Sequence, residues 1–312
     1  MIPRQPHTRA LRQVTPVRSG QVYSYGTAVL AKPTVRRIPG RFKLIAFVLL
    51  ALFVSGHFAW AQHVSAQTEA AHLKQQQIAA EEAHRAMMFR QTVEAIIADH
   101  PELDIQVAVG ANSGPISTMG VPTTFDAAST AKLLSAATVL HQIDQGKLSL
   151  HTDIDGQSVQ QWLAPMIIHS DDTAWAELNA YIGHDALTAY ASSVGIEDYD
   201  ADANSLQAAD VTLVLQKLYD HSLLSNASRS LLLSYLSQAN YRDFGVAAVP
   251  SSDRVYHKIG MDEDNVHDAL LIVHGSRSLA LTIYTNGHGI YNWDARKAVM
   301  QDITRAAVDA YL

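Results

Sequence analysis

The sequence predicts an α+β fold in which an antiparallel sheet, formed from both ends of one domain, packs with helices and a helical subdomain. Three observations predict it. A strand-like alternation, DIQVAVG at 104–110, follows an early helical stretch. A long and mostly helical region fills roughly 129–240. Three apolar runs, RVYHKIG, DALLIVHG and LALTIYTNG, then alternate with turn residues and precede a closing helix at about 293–311. Hydrophobic content of 48% and a charged fraction of 17% suit a chain with a sizeable core.

The first elements lie ahead of that domain. Residues 1–43 hold nine Lys or Arg and no acid, and the first acidic residue of the chain is Glu69. That leaves 14 basic against 30 acidic residues for the remainder, which argues against a nucleic-acid surface there. LIAFVLLALFVSGHFAWA, at 44–61, contains no Lys, Arg, Asp or Glu. About 18–20 apolar residues span the hydrocarbon core of a bilayer. The basic side then faces the cytoplasm, so 1–43 is a cytoplasmic arm and 44–61 a single-pass anchor in the lipid bilayer. The alternative is secretion after cleavage near Ala61, because Ala59-Trp60-Ala61 has the small-x-small form of a signal-peptidase site. In both cases the body lies outside the cytoplasm.

Residues 62–85 are rich in Ala, Gln and Glu and lack Gly and Pro, a good helix composition for a stalk or linker. Leu73, Ala80 and Met87 fall seven apart, one row only, which is thin support for a coiled coil. The globular domain covers 86–312. It opens on a helical MMFRQTVEAIIADH, and the middle region holds helical candidates at 129–143, 172–182, 206–220 and 227–238. The chain has no cysteine, so disulfides, thiolate zinc sites and a cysteine nucleophile are excluded.

AASTAKLLSAATVL, at 127–140, places a lysine inside an apolar helical run. Ser129 and Lys132 are three apart and share a helical face, which brings hydroxyl and amine within reach. Burial disfavours the ammonium and makes the amine a better proton acceptor. A serine hydroxyl needs such a neighbour to become nucleophilic. Ser129 as an ordinary helix cap, with Lys132 reaching for solvent, is the competing reading of this pattern by itself.

Two further stretches bear on that choice. MIIHSDDTAWAELN holds Ser170-Asp171-Asp172, and RVYHKIGM holds Lys258-Ile259-Gly260 on an expected strand. The order Ser-x-x-Lys, Ser-Asp-Asp, Lys-Ile-Gly resembles the Ser-x-x-Lys, Ser-Asp-Asn, Lys-Thr-Gly series of the penicillin-recognising serine enzymes, and class A β-lactamases within them. The resemblance covers roughly 86–312. It implies that Ser129 is the acylated nucleophile, Lys132 its proton partner and Ser170 a relay to the leaving nitrogen. It also implies that Asp172, Lys258 and Gly260 bind substrate, and that the backbone N–H groups of Ser129 and Met261 form the oxyanion hole. No metal and no organic cofactor are implied.

Three departures qualify the resemblance. Asp172 replaces an asparagine, bringing negative charge or a protonated carboxyl where an amide donor is expected. Ile259 replaces a hydroxyl residue, removing one hydrogen bond to a substrate carboxylate. The loop that supplies the deacylating glutamate is compressed to VGIEDYDADANS, where Asp200 and Asn204 keep the four-residue spacing with a shorter acid. Asp200 is thus a candidate deacylation base, and His267-Asp268 a candidate for the cleft wall or for a turn or strand edge. The expected function is a membrane-anchored extracytoplasmic serine hydrolase acting on β-lactams or related amides, with slow deacylation. A D-alanyl-D-alanine peptidase-like enzyme of peptidoglycan metabolism and a catalytically weak cell-wall-binding module are the alternatives.

Overall fold

A computed structural model describes residues 39–289 and 292–312; most of the basic arm, 1–38, lies outside the described residues. The first element is the helix α1 (Gly40–Asp99), whose sequence has no proline and, after its first residue, only Gly56 as a weak helix former. Its most apolar window has a mean hydropathy of 2.1, and among the described residues it is the one helix long and apolar enough to cross a membrane. Phe47, Leu50 and Phe53 stand exposed along that window. The chain divides into two compact units between Glu69 and Ala70. Phe89 and Val93 are the buried residues of α1, both in the second unit.

The second unit continues with β1 (Asp104–Ala111), β2 (Ser117–Gly120) and the short β3 (Phe125–Asp126). A 3₁₀ turn at Ala128–Ala131 leads into α2 (Lys132–Asp144). A small hairpin, β4 (Asp153–Ile154) and β5 (Gln157–Ser158), precedes α3 (Val159–Ile168), α4 (Asp172–Ile182) and α5 (His184–Ser193). Then come β6 (Ser205–Leu206), α6 (Ala208–Tyr219) and α7 (Asn226–Ser237). The chain closes on β7 (Arg254–Met261), β8 (Asn265–His274), β9 (Arg277–Asn286) and α8 (Trp293–Tyr311).

Five strands form one antiparallel sheet in the order β2-β1-β9-β8-β7, so both chain ends of the domain build it and β7 is an edge. Both faces are buried, which is why β8 and β9 read as nearly unbroken apolar runs. Ile105, Val107, Leu270, Ile272, Leu281 and Ile283 point into one layer with Phe89, Val93, Val299 and Ile303 of α1 and α8. Ala108, Ala269, Leu271 and Tyr284 point into the other, where α2 is the central helix. Every residue of α2 from Lys132 to Leu140 is buried. Each buried leucine there contributes about 1.5–3 kcal/mol.

Several elements go beyond the sequence expectation, among them α5, the two-residue strands β3 to β6, β2 and α3. β2 has one buried residue in four, too short to show alternation. α3 escaped because Pro165 lies inside it; a capping box between Ser158 and Gln161 starts this helix. The Pro165 carbonyl then accepts from the backbone N–H groups of His169 and Asp171, turning the chain toward Ser170.

Candidate active site

The site begins with how the turn before α2 is held. Asp126 accepts hydrogen bonds at Oδ1 from Ala128 N (2.9 Å) and from Asn204 Nδ2 (2.9 Å). Asn204 also donates to Ala128 O (3.1 Å), tying the 197–204 loop to this segment. Tyr284 O–H donates to Thr130 Oγ1 (2.7 Å), whose own hydrogen goes to Ala127 O (2.6 Å). These bonds hold Ala128 at φ +45°, a left-handed conformation that an L-residue adopts only under constraint. Ser129 follows it, half-buried, on a 3₁₀ turn in which residues three apart eclipse. Lys132 Nζ therefore stands 2.7 Å from Ser129 Oγ.

Lys132 is fully buried, and Nζ makes two further contacts, to Ser170 O (2.8 Å) and Asp172 Oδ1 (2.5 Å). The three fit either protonation state: an ammonium donates to all, whereas a neutral amine donates to two and accepts the Ser129 proton. Trp175, one helical turn beyond Asp172, lies with its ring centroid 5.2 Å from Nζ and donates from Nε1 to Ser135 Oγ (2.8 Å). Desolvation pulls the lysine's pKa below its ordinary value, against the hydrogen bond and charge of Asp172 and the charge of Asp171.

Ser170 sits between the two lysines, at φ +61° on the turn before α4. Lys258 Nζ donates to Ser170 Oγ (2.6 Å) and to Ile259 O (2.8 Å). Lys258 is 1% exposed, so it is not a surface strand residue. Burial first, then the charge of Lys132, hold its pKa well below the ordinary lysine value; Asp268 and Asp172 oppose this. On the edge strand β7, Asp262 N bonds Asn265 O (3.0 Å), and the alternation of an antiparallel ladder then turns the Met261 N–H to the free edge. A Cβ on Gly260 would lie 2.9 Å from both Ala127 O and Thr130 N, so only glycine lets β7 come this close to the Ser129 turn.

A half-buried serine with a buried amine at its hydroxyl, a second serine on strained backbone and a second buried lysine on a sheet edge thus converge from three segments. The model of the beta-lactamase enzyme family matches residues 88–311. The chain belongs to that family. Its fold is similar to an ancestral (GNCA) class A β-lactamase, 25% identical, with a TM-score of 0.65 over 72% of this chain and 100% of that one. It also resembles β-lactamases from Xanthomonas campestris pv. campestris (22% identity, TM-score 0.64, 72% and 97% covered) and Sphaerobacter thermophilus (22%, 0.65, 70% and 96%). These last two are likenesses of fold. No curated protein matches the chain. It is a serine hydrolase of the β-lactamase type.

The remaining sequence candidates fall differently in this β-lactamase fold. Asp200 is exposed, and its Oδ1 accepts from the backbone of Asp202 (2.9 Å) and Ala203 (3.0 Å), a turn within its own loop. Ile259 is 2% exposed and belongs to the apolar layer under α1 and α8, so that layer is what its side chain serves. His267 and Asp268 lie inside β8, a strand flanked on both sides, and not at a turn or edge. His267 donates from Nε2 to Asp126 O (2.8 Å) and accepts at Nδ1 from Thr285 N (3.2 Å), and burial pushes its pKa down to about 4. It stacks on Tyr284 at 3.9 Å and so braces the Ser129 turn from behind. Asp268 faces the opposite layer, bonded to His257 Nδ1 (3.1 Å) and Gly245 N (3.1 Å). Sequence reasoning missed Asn204 as a tether, Tyr284 and Trp175; for Trp175, the three-residue spacing from Asp172 on α4 was the available signal.

One pH effect follows from Asp172. Its hydrogen bond and charge both raise the Lys132 pKa, so Asp172→Asn lowers that pKa further. The neutral amine then persists to lower pH, and the acid limb of the acylation profile should move toward lower pH. A pH series of second-order acylation constants for both proteins measures this; an unmoved or upward-shifted limb contradicts the assignment of Lys132 as base.

Proposed function

We propose that the 86–312 domain is an extracytoplasmic serine hydrolase that forms an acyl-enzyme on Ser129 with β-lactams or related amides and deacylates slowly. The observation that carries this reading is the buried Lys132 amine at 2.7 Å from Ser129 Oγ. In the proposed sequence Lys132 takes the hydroxyl proton as Ser129 Oγ attacks the carbonyl carbon. The backbone N–H groups of Ser129 and Met261 receive the oxyanion. As the C–N bond breaks, the leaving nitrogen takes the Ser170 hydroxyl proton, and Ser170 is reprotonated from the flanking lysines, Lys258 at 2.6 Å among them. Hydrolysis of the ester then needs a base for water. Asp200 is the sequence candidate, but its carboxylate is engaged within its own loop, which supports slow release.

Residues 44–61 serve in this reading as an uncleaved anchor and 62–85 as a stalk, supported by one apolar helix and the basic residues ahead of it. The engagement of Asp200 also favours a second reading, a D-alanyl-D-alanine peptidase-like enzyme whose acyl-enzyme is released to an amine or water at its own pace. Intact-protein mass of the full chain in detergent, after mixing with benzylpenicillin, tests both. A persistent adduct on the native chain and none on Ser129→Ala is the expected result. Rapid turnover without an adduct would assign efficient deacylation, and release of D-alanine from a D-alanyl-D-alanine peptide would favour the second reading. None of these from a folded protein would overturn the assignment of Ser129.

A further inference from the structure

Resting on that reading of Ser129, the charges around the cleft say which acyl donors it prefers. The two cations of the site are both internal. Lys132 is bonded to Ser129, Ser170 and Asp172, while Lys258, at 1% exposure, is bonded to Ser170 and Ile259. Burial lowers the pKa of both, and the charge of Lys132 lowers that of Lys258 further. Neither presents an uncommitted ammonium to the open cleft.

The exposed groups carry the opposite sign. Asp172 is 85% exposed although its Oδ1 touches Lys132, so its carboxylate stands at the cleft mouth two hydrogen bonds from the nucleophile. Asp171 beside it is exposed too, one of its oxygens capping Ala174 N. The loop tethered to the Ser129 turn through Asn204 bears Glu197, Asp198, Asp200 and Asp202, all exposed. Directly after Met261 come Asp262 and Glu263, exposed, and Asp264. Apart from His184, which pairs with Asp202, no basic side chain among the described residues forms an ion pair with these loop acids, and residues 148–216 contain 11 acidic residues and no Lys or Arg. No Lys or Arg lies between Lys258 and Arg277 either.

A cleft lined by one sign of charge attracts ligands of the other sign and repels its own, to an extent that falls with added salt. Asp172 adds a short-range preference, since a carboxylate accepts from N–H donors and repels carbonyl oxygens. We infer that the Ser129 cleft selects acyl donors carrying an ammonium group near the scissile carbonyl, such as amine-bearing peptides or amino-substituted β-lactams, with Asp172 as the specificity-determining residue.

Ampicillin and benzylpenicillin test this, because they share a ring, a carboxylate and a leaving nitrogen and differ by one amine on the acyl side chain. The full chain in detergent, at a pH where that amine is protonated, should acylate about tenfold faster with ampicillin at low ionic strength. The ratio should shrink in 0.5 M NaCl, a concentration at which the Debye length is about 4 Å, and approach unity in Asp172→Asn. Calorimetric binding of both compounds to Ser129→Ala reads the same preference without chemistry. Tighter binding of ampicillin there supports the inference even if no adduct ever forms, an outcome that would sink only the assignment of Ser129 as nucleophile. Equal or tighter binding of benzylpenicillin, or a ratio unchanged in Asp172→Asn, overturns it.

Discussion

Replacing Lys132 with methionine should slow acylation of Ser129 by about 10²–10⁴-fold, the range for loss of a positioned proton acceptor, while leaving the fold as stable as before or more so. The two effects have separate causes. Lys132 is fully buried in a helix whose neighbours are apolar, and methionine fills a similar unbranched volume. Replacing a whole buried ion pair by apolar side chains is commonly neutral or stabilising by about 1–4 kcal/mol, and removing one partner is costly only where the other stays buried. The partner left behind, Asp172, is 85% exposed and regains water at little cost. The gain also has a pH signature. The folded pKa of Lys132 lies below its ordinary 10.5, so between the two values the unfolded chain binds more protons and native stability rises with pH. Methionine lacks that slope. Its advantage is therefore largest below the folded pKa and declines as pH approaches 10.5. Urea unfolding at pH 6 and pH 10, run beside acylation kinetics, measures both parts; undiminished acylation would remove Lys132 from the mechanism.

The sequence carried the positions of the cluster further than it carried their settings. Ser129, Lys132, Ser170, Asp172 and Lys258 are legible because each sits in a short pattern whose spacing is local, and the structure brings all five into one hydrogen-bonded group. Helix α4 falls at the expected 172–182, because Asp171 caps it and Gly183 ends it. What was not legible depends on long-range contact. Lys258 on its strand gives no local sign that Ser170, on the turn before α4, closes over it. The spacing of Asp200 and Asn204 says nothing about which way each side chain turns. In the fold the asparagine ties the loop to Ala128, while the aspartate closes a turn of its own. Local sequence likewise does not say which face of β8 His267 takes; its partners Asp126, Tyr284 and Thr285 are supplied by two other places in the chain.

Gly260→Ala should cut acylation by about 100-fold, the cost of a displacement approaching 1 Å at a reacting centre. It should also cost about 1–3 kcal/mol of stability from overpacking. Unlike many glycines, Gly260 does not need its freedom for a left-handed φ; the constraint is contact. Its new Cβ would meet Ala127 O and Thr130 N at 2.9 Å and Thr130 Cγ2 at 3.0 Å. Two of those atoms are backbone, and Thr130 N is already bonded to Ala127 O at 3.0 Å, so no side-chain rotation relieves the clash. Either the edge strand β7 or the Ser129 turn must retreat. Both carry a donor of the proposed oxyanion cradle, Met261 N on the strand and Ser129 N on the turn, so retreat of either opens that cradle. Gly146→Ala supplies the control: φ there is +70° with no atom within 4 Å, so backbone strain lowers stability by about 1–2 kcal/mol at a position remote from the chemistry. If acylation tracked stability equally in the two variants, the close approach at Gly260 would be a matter of folding alone. A loss confined to Gly260→Ala, seen in the acylation rate at saturating β-lactam, places the effect on the geometry between β7 and Ser129.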